Sequence, residues 1–112
     1  MRVLLVDDDA AYLQACTTVL TRDGHDVVPC GEFHEARRRL AQQTFDVLIA
    51  DVRLGAYNGL HLITLAAPWM IRIALTAVPD SGTRRDAEQA GARFIVKPND
   101  CASVSGLLGS RV

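Results

Sequence analysis

Short runs that are apolar at nearly every position recur along this chain, separated by longer stretches with helical periodicity. The runs are Val3-Leu4-Leu5-Val6, Val27-Val28, Val47-Leu48-Ile49-Ala50, Ile71 to Leu75 and Phe94-Ile95-Val96. A strand with one wet face alternates apolar and polar residues. One that is apolar throughout is covered on both faces, as in a parallel sheet between helices. The stretches between the runs read as those helices. From Asp9 to Arg22, Leu13, Cys16 or Thr17, and Leu20 share a face, with Asp9 as cap and Gly24 as stop. From Glu32 to Gln42, Phe33, Ala36 and Leu40 form a stripe and Arg37, Arg38 and Arg39 turn outward. A short helix from about Asn58 to Ala66 carries Leu60 and Ile63 and ends before Pro68. Another is capped by Asp80 or Ser81, runs to Ala90 and stops at Gly91. Its apolar residues are only Ala87 and Ala90, so it should pack weakly. Asp100 to Leu108 is a poorer helix containing Gly106.

Strand and helix thus alternate five times, which predicts a doubly wound (βα)5 domain of flavodoxin-like type with right-handed crossovers. Pro29 cannot donate to a ladder, which puts the second run at an edge and gives the order 2-1-3-4-5. The 112 residues suit one domain, and 49% hydrophobic residues suffice for its core. The balance of 12 basic and 13 acidic residues gives a net charge of −1, which argues against direct nucleic-acid binding by bulk charge. Cys16, Cys30 and Cys101 form no CxxC and read as reduced thiols with no zinc site. The N-terminal MRVLLVDDD meets acids too soon for a signal peptide, and no run is long enough to span a membrane, so a cytoplasmic protein with no membrane partner is expected.

Ligands of open α/β sheets bind outside the carboxyl ends of the strands, where strand order reverses. That point lies between the first and third runs. Asp7, Asp8 and Asp9 follow the first run, Asp51 the third, Thr76 the fourth and Lys97 the fifth. Taken singly, each has an ordinary role as cap, turn former or solvated charge. Together they deliver carboxylates, a hydroxyl and an ammonium to one mouth. At about 4 Å two carboxylates repel by roughly 4 kcal/mol at an effective dielectric of 20, so Asp7, Asp8 and Asp51 should hold a proton or a hard cation, for which Mg2+ fits best. Lys97 and Thr76 suit a second, anionic guest. A metal, a lysine and a hydroxyl around a carboxylate are equipment for phosphoryl transfer, in which a carboxylate can itself be the nucleophile.

The motifs Val6-Asp7-Asp8, Phe45 to Asp51, Asn58-Gly59-Leu60, Leu75-Thr76-Ala77, Gly91-Ala92 and Val96-Lys97-Pro98 together resemble those of the receiver domain of bacterial two-component response regulators. The resemblance covers essentially the whole chain. It implies a CheY-like fold for a single domain over residues 1–112, standing alone or as the front of a longer protein. It also implies a phosphoacceptor signalling domain rather than an enzyme, one that catalyses its own phosphorylation and dephosphorylation. On that pattern Asp51 accepts a phosphoryl group from a sensor histidine kinase or phosphotransfer protein. Asp8, Asp51 and the backbone carbonyl of Arg53 bind Mg2+, with Asp7 helping through water. Thr76 and Lys97 contact phosphoryl oxygens, and Phe94 is the aromatic switch partner of Thr76. Lys97-Pro98 matches a peptide that is typically cis. The surface of the fourth helix, fifth strand and fifth helix would carry the output to a further domain, a partner protein or a second copy. Gly55 stands where the family commonly has Pro, and Asn58 where Asp is common.

Two rivals remain at this stage. A phosphatase of the haloacid dehalogenase type would use Asp7-x-Asp9 with Asp7 as nucleophile, leaving Asp51 without a role. A phosphorylation-independent interaction module would keep the fold and not use the site.

Overall fold

The computed structural model describes residues 1–78, 80–97 and 101–108, with the side chains of 101–103 left aside. In chain order the elements are β1 (Arg2–Val6), α1 (Ala10–Arg22), β2 (Asp26–Cys30), α2 (Phe33–Gln42), β3 (Val47–Asp51), β4 (Arg53–Leu54), β5 (Tyr57–Asn58), α3 (Leu60–Leu65), β6 (Ile71–Thr76), α4 (Ser81–Gln89), β7 (Arg93–Val96) and α5 (Cys101–Leu108). Five strands form one parallel sheet of order β2-β1-β3-β6-β7. Counted along that sheet alone, this is the expected 2-1-3-4-5. β2 lies at the edge, with Pro29 exposed.

The unbroken apolar runs are buried on both faces, as their pattern requires. Leu4, Val6, Leu48, Ala50 and Ala74 face one core layer, with Phe33 and Ala36 of α2 and Leu62 and Ile63 of α3. Val3, Leu5, Val47, Ile49, Ile73, Leu75 and Ile95 face the other, with Cys16 and Leu20 of α1 and Val104 and Leu108 of α5. The sparse C-terminal helix is therefore seated by two apolar residues, and its Ser105 hydroxyl donates to the Asp23 carboxylate at the end of α1. The other side of the sheet is held unevenly. Ala87 is the buried residue of α4, and the C-terminal end of that helix is tied by Arg72, whose guanidinium donates to the Ala90 carbonyl at 3.1 Å. Cys16 and Cys30 are both buried. Burial first, then the nearby Glu35, pushes the Cys30 thiol up to about 11, so it stays protonated and unreactive at neutral pH.

Sequence periodicity did not disclose β4 and β5, a small antiparallel hairpin pairing Arg53 with Asn58 and Leu54 with Tyr57. Its tip needs glycine: Gly55 has φ of +61°, and its N–H donates to Asp8 Oδ2 at 3.1 Å. Proline, the common family residue there, has neither that φ nor that N–H. Asn58 Oδ1 then accepts from the Leu60 N–H at 2.9 Å and starts α3, a task for which its amide serves as well as a carboxylate. Just before α3 the chain crosses the end of β3. The Gly59 N–H donates to the Val52 carbonyl at 2.7 Å, and a Cβ on Gly59 would sit 1.8 Å from the Asp51 carbonyl oxygen. Because the obstacle is backbone, Gly59→Ala should destabilise the domain by about 2–3 kcal/mol. A urea midpoint equal to that of the wild type would show that this crossing can move aside.

Candidate functional site

Strand register brings the polar residues to one level. Val6 lies opposite Ala50, so Asp7 and Asp51 follow side by side. Asp51 lies opposite Leu75, and Thr76 opposite Val96. Alternation along each strand then sorts the side chains. Asp7, Asp51 and Lys97 continue the series of Leu5, Ile49 and Ile95, whose side chains face α1. Thr76 continues the series of Ala74 and points to the opposite face, the one on which Phe94 packs.

The first group is a tight ionic cluster. The Lys97 ammonium donates to Asp7 Oδ2 at 2.9 Å and to Asp51 Oδ2 at 3.1 Å. Asp7 is 0% exposed, Asp51 5% and the Lys97 side chain 9%. The other Asp7 oxygen accepts from the Asp9 N–H at 2.9 Å, and the other Asp51 oxygen from the Arg53 N–H at 3.2 Å. Asp8 is exposed, yet Asp7, Asp8 and Asp51 each offer a carboxylate oxygen within 4.8 Å of the others. Two buried carboxylates facing one ammonium leave excess negative charge. Burial first and Asp7 second raise the Asp51 pKa above its ordinary 3.8, against the hydrogen bonds from Lys97 and Arg53. For Lys97, burial pulls the ammonium down, but hydrogen bonds to Asp7 and Asp51 outweigh it and its pKa stands above the ordinary value.

Thr76 is bonded to the turn that follows it. The Thr76 hydroxyl donates to the Val78 carbonyl at 3.1 Å and accepts from the Val78 N–H at 3.2 Å. Phe94 is half-buried beside the layer of α2, α3 and α4. The Lys97-Pro98 peptide and the Asp100 start of the last helix lie outside the described residues. Asp9 is the cap the sequence implied, its Oδ1 accepting from the N–H groups of Ala11 and Tyr12. Sequence reading missed Tyr12, whose ring centroid lies 4.8 Å from the Lys97 ammonium. The only available signal was its position in the first turn of a helix that starts at the mouth.

Fold and site together define a doubly wound α/β domain with an acid–lysine centre at the switch point of its sheet. Residues 3–106 match the family described as the response regulator receiver domain, and the chain belongs to that family. It is 39% identical over 101 residues to the alginate biosynthesis transcriptional regulatory protein AlgB of Pseudomonas putida, covering 87% of this chain and 22% of that protein. It is 34% identical over 104 residues to the transcriptional regulatory protein GlrR of Escherichia coli, covering 88% of this chain and 23% of that protein. The chain thus spans less than a quarter of these relatives. A CheY-like receiver domain from Methanospirillum hungatei matches the fold with a TM-score of 0.90 at 25% identity, covering 96% of this chain and 89% of the other. A response regulator from Burkholderia pseudomallei, solved with a phosphorylated aspartic acid, calcium ion and citrate, matches with a TM-score of 0.86 at 25% identity, covering 99% of this chain and 66% of the other. The chain is therefore a receiver domain of response regulators. Among the described residues, no helix is long and apolar enough to cross a membrane.

Proposed function

We propose that Asp51 is the phosphoacceptor of a cytoplasmic two-component relay, taking its phosphoryl group from the phosphohistidine of a sensor kinase or phosphotransfer protein. The observation that carries this reading is the Lys97 ammonium held between Asp7 and Asp51 beside a third carboxylate, Asp8. The Burkholderia relative carries its phosphoryl group on an aspartic acid, which supports the same chemistry here. In the transfer, an Asp51 oxygen attacks phosphorus. The new P–O bond forms as the P–N bond breaks, and the electron pair leaves with the imidazole nitrogen. Lys97, already within hydrogen-bond distance of Asp51, turns its donors to the transferred oxygens. Attack by water later breaks the Asp51–phosphorus link and releases inorganic phosphate.

The three carboxylates form an all-oxygen donor set suited to a hard divalent ion. Asp8, Asp51 and the Arg53 carbonyl would hold Mg2+, with Asp7 acting through water. When bound, the ion would neutralise charge on the carboxylates and on the phosphoryl oxygens.

The switch follows from the bonds that Thr76 makes to Val78. To bond a phosphoryl oxygen its hydroxyl must give up the Val78 carbonyl, and that loosens the turn leading into α4. Phe94 packs on the same face and can fill the space Thr76 leaves. α4, with Ala87 as its buried residue, has little apolar area to lose when it shifts. The face of α4, β7 and α5 then changes its fit for a partner protein, a further domain or a second copy.

Labelling with acetyl phosphate and Mg2+, mapped by peptide mass spectrometry, tests the assignment. The phosphoryl group should reside on Asp51. A label on Asp7 would instead support the phosphatase alternative. Unchanged amide shifts over residues 80–97 with Mg2+ and beryllofluoride would support an interaction module that does not use phosphate.

A further inference from the structure

We propose that Tyr12 is a positioning residue for Lys97, and that Asp9 holds Tyr12 in place. The inference rests on the reading of Asp51 as phosphoacceptor and Lys97 as its phosphoryl partner, and adds how the lysine is aimed.

The contacts form a closed circuit. Asp7 Oδ1 accepts from the Asp9 N–H at 2.9 Å. Asp9 Oδ1 accepts from the N–H groups of Ala11 and Tyr12 at 3.1 and 3.2 Å, which fixes the first turn of α1. The Tyr12 ring lies 4.8 Å from the Lys97 ammonium, and Lys97 returns to Asp7 Oδ2 at 2.9 Å. A lysine side chain is a flexible stem carrying a point charge, and two carboxylates alone leave its third donor direction open. The ammonium sits over the Tyr12 ring. A carboxylate there would also orient the ammonium. It would add a negative charge to a cluster that already has an excess, and it would compete with the incoming phosphoryl oxygens for the lysine. The neutral π face orients without doing either, and its attraction is strongest for a desolvated cation, which the low exposure of Lys97 supplies.

Tyr12 also packs against the core layer of α1 and α5, so a purely structural role must be told apart from an electrostatic one. The full chain is compared with Tyr12→Phe, Tyr12→Leu, Tyr12→Met and Lys97→Ala. The measurements are the rate constant of Asp51 labelling by acetyl phosphate, the half-saturating donor concentration, Mg2+ affinity by titration, and the shift of the Lys97 ε-methylene protons. Loss of an aromatic face from a desolvated ammonium should lower the rate constant of Tyr12→Leu and Tyr12→Met about five- to tenfold, with Mg2+ affinity unchanged. Tyr12→Phe should recover most of the rate. The Lys97 ε-methylene protons should lie upfield in the wild type and Tyr12→Phe, and move downfield in the other two. Tyr12→Met fills much of the ring's volume, so a wild-type rate in that variant would overturn the proposal, as would an equal loss in Tyr12→Phe. Normal labelling of Lys97→Ala would instead remove the functional reading on which the inference rests.

Discussion

Asp51→Asn should abolish phosphoryl labelling and leave a domain more stable than the wild type. The first outcome follows from chemistry: an amide oxygen does not form a stable link to phosphorus, and the remaining buried acid, Asp7, is already committed to Lys97 and the Asp9 N–H. The second follows from charge. The wild type holds two buried carboxylates against one ammonium, whereas Asp51→Asn leaves a one-to-one pair of Asp7 and Lys97. Burial and the Asp7 charge raise the Asp51 pKa above 3.8, so the folded state binds this proton more readily than the unfolded chain does. Stability gained from that proton therefore grows as pH falls from above the raised value toward 3.8, and at neutral pH the ionised group opposes folding. Removing it should stabilise the domain and raise its Tm at neutral pH. The gap between variant and wild type should close as pH falls through that window. Thermal melts across pH without added Mg2+ measure this directly. A less stable variant at pH 7, or a gap that widens on acidification, would mean that Lys97 more than compensates the Asp51 charge.

How much of this was legible beforehand follows from which interactions are periodic. The unbroken apolar runs declared a sheet covered on both faces, and Pro29 declared its edge. Parallel pairing in that order then dictated that Asp7, Asp51, Thr76 and Lys97 reach one end. Sequence did not reveal the division of that end into two faces, because it depends on register: a shift by one residue would exchange Asp51 with its neighbours. Nor did it reveal that the Thr76 hydroxyl bonds the Val78 carbonyl of the turn after β6. The β4–β5 hairpin was hidden because two-residue strands have no detectable period, and Gly55 read as a departure rather than as the glycine its φ requires. Tyr12 was missed because a ring above a cation is a meeting of elements 85 positions apart, and nothing local to either residue announces it.

Lys97→Ala should uncouple the two tasks of the site, losing phosphoryl transfer while keeping the metal. Without the ammonium, Asp7 and Asp51 remain buried next to each other, with backbone N–H groups as their donors among the described residues. Breaking a buried pair from one side costs about 3–5 kcal/mol, and the cost should be near this range because the Lys97 side chain is only 9% exposed. The raised Lys97 pKa fixes the sign with pH: its contribution is complete below the ordinary 10.5 and is lost only as pH rises through the higher folded value. The loss should therefore be fully visible at pH 7. Labelling of Asp51 should fall by about two to three orders of magnitude, the usual effect of removing a charge aimed at the reacting oxygens. Mg2+ affinity should rise, since a competing cation has gone and the three carboxylates stay. Adding Mg2+ should then recover more melting temperature in Lys97→Ala than in the wild type, by linkage between binding and folding. Calorimetric Mg2+ titration beside labelling kinetics separates the possibilities. If Lys97→Ala binds Mg2+ more weakly than the wild type, the lysine is organising the acids rather than competing with the metal, and the two tasks are one.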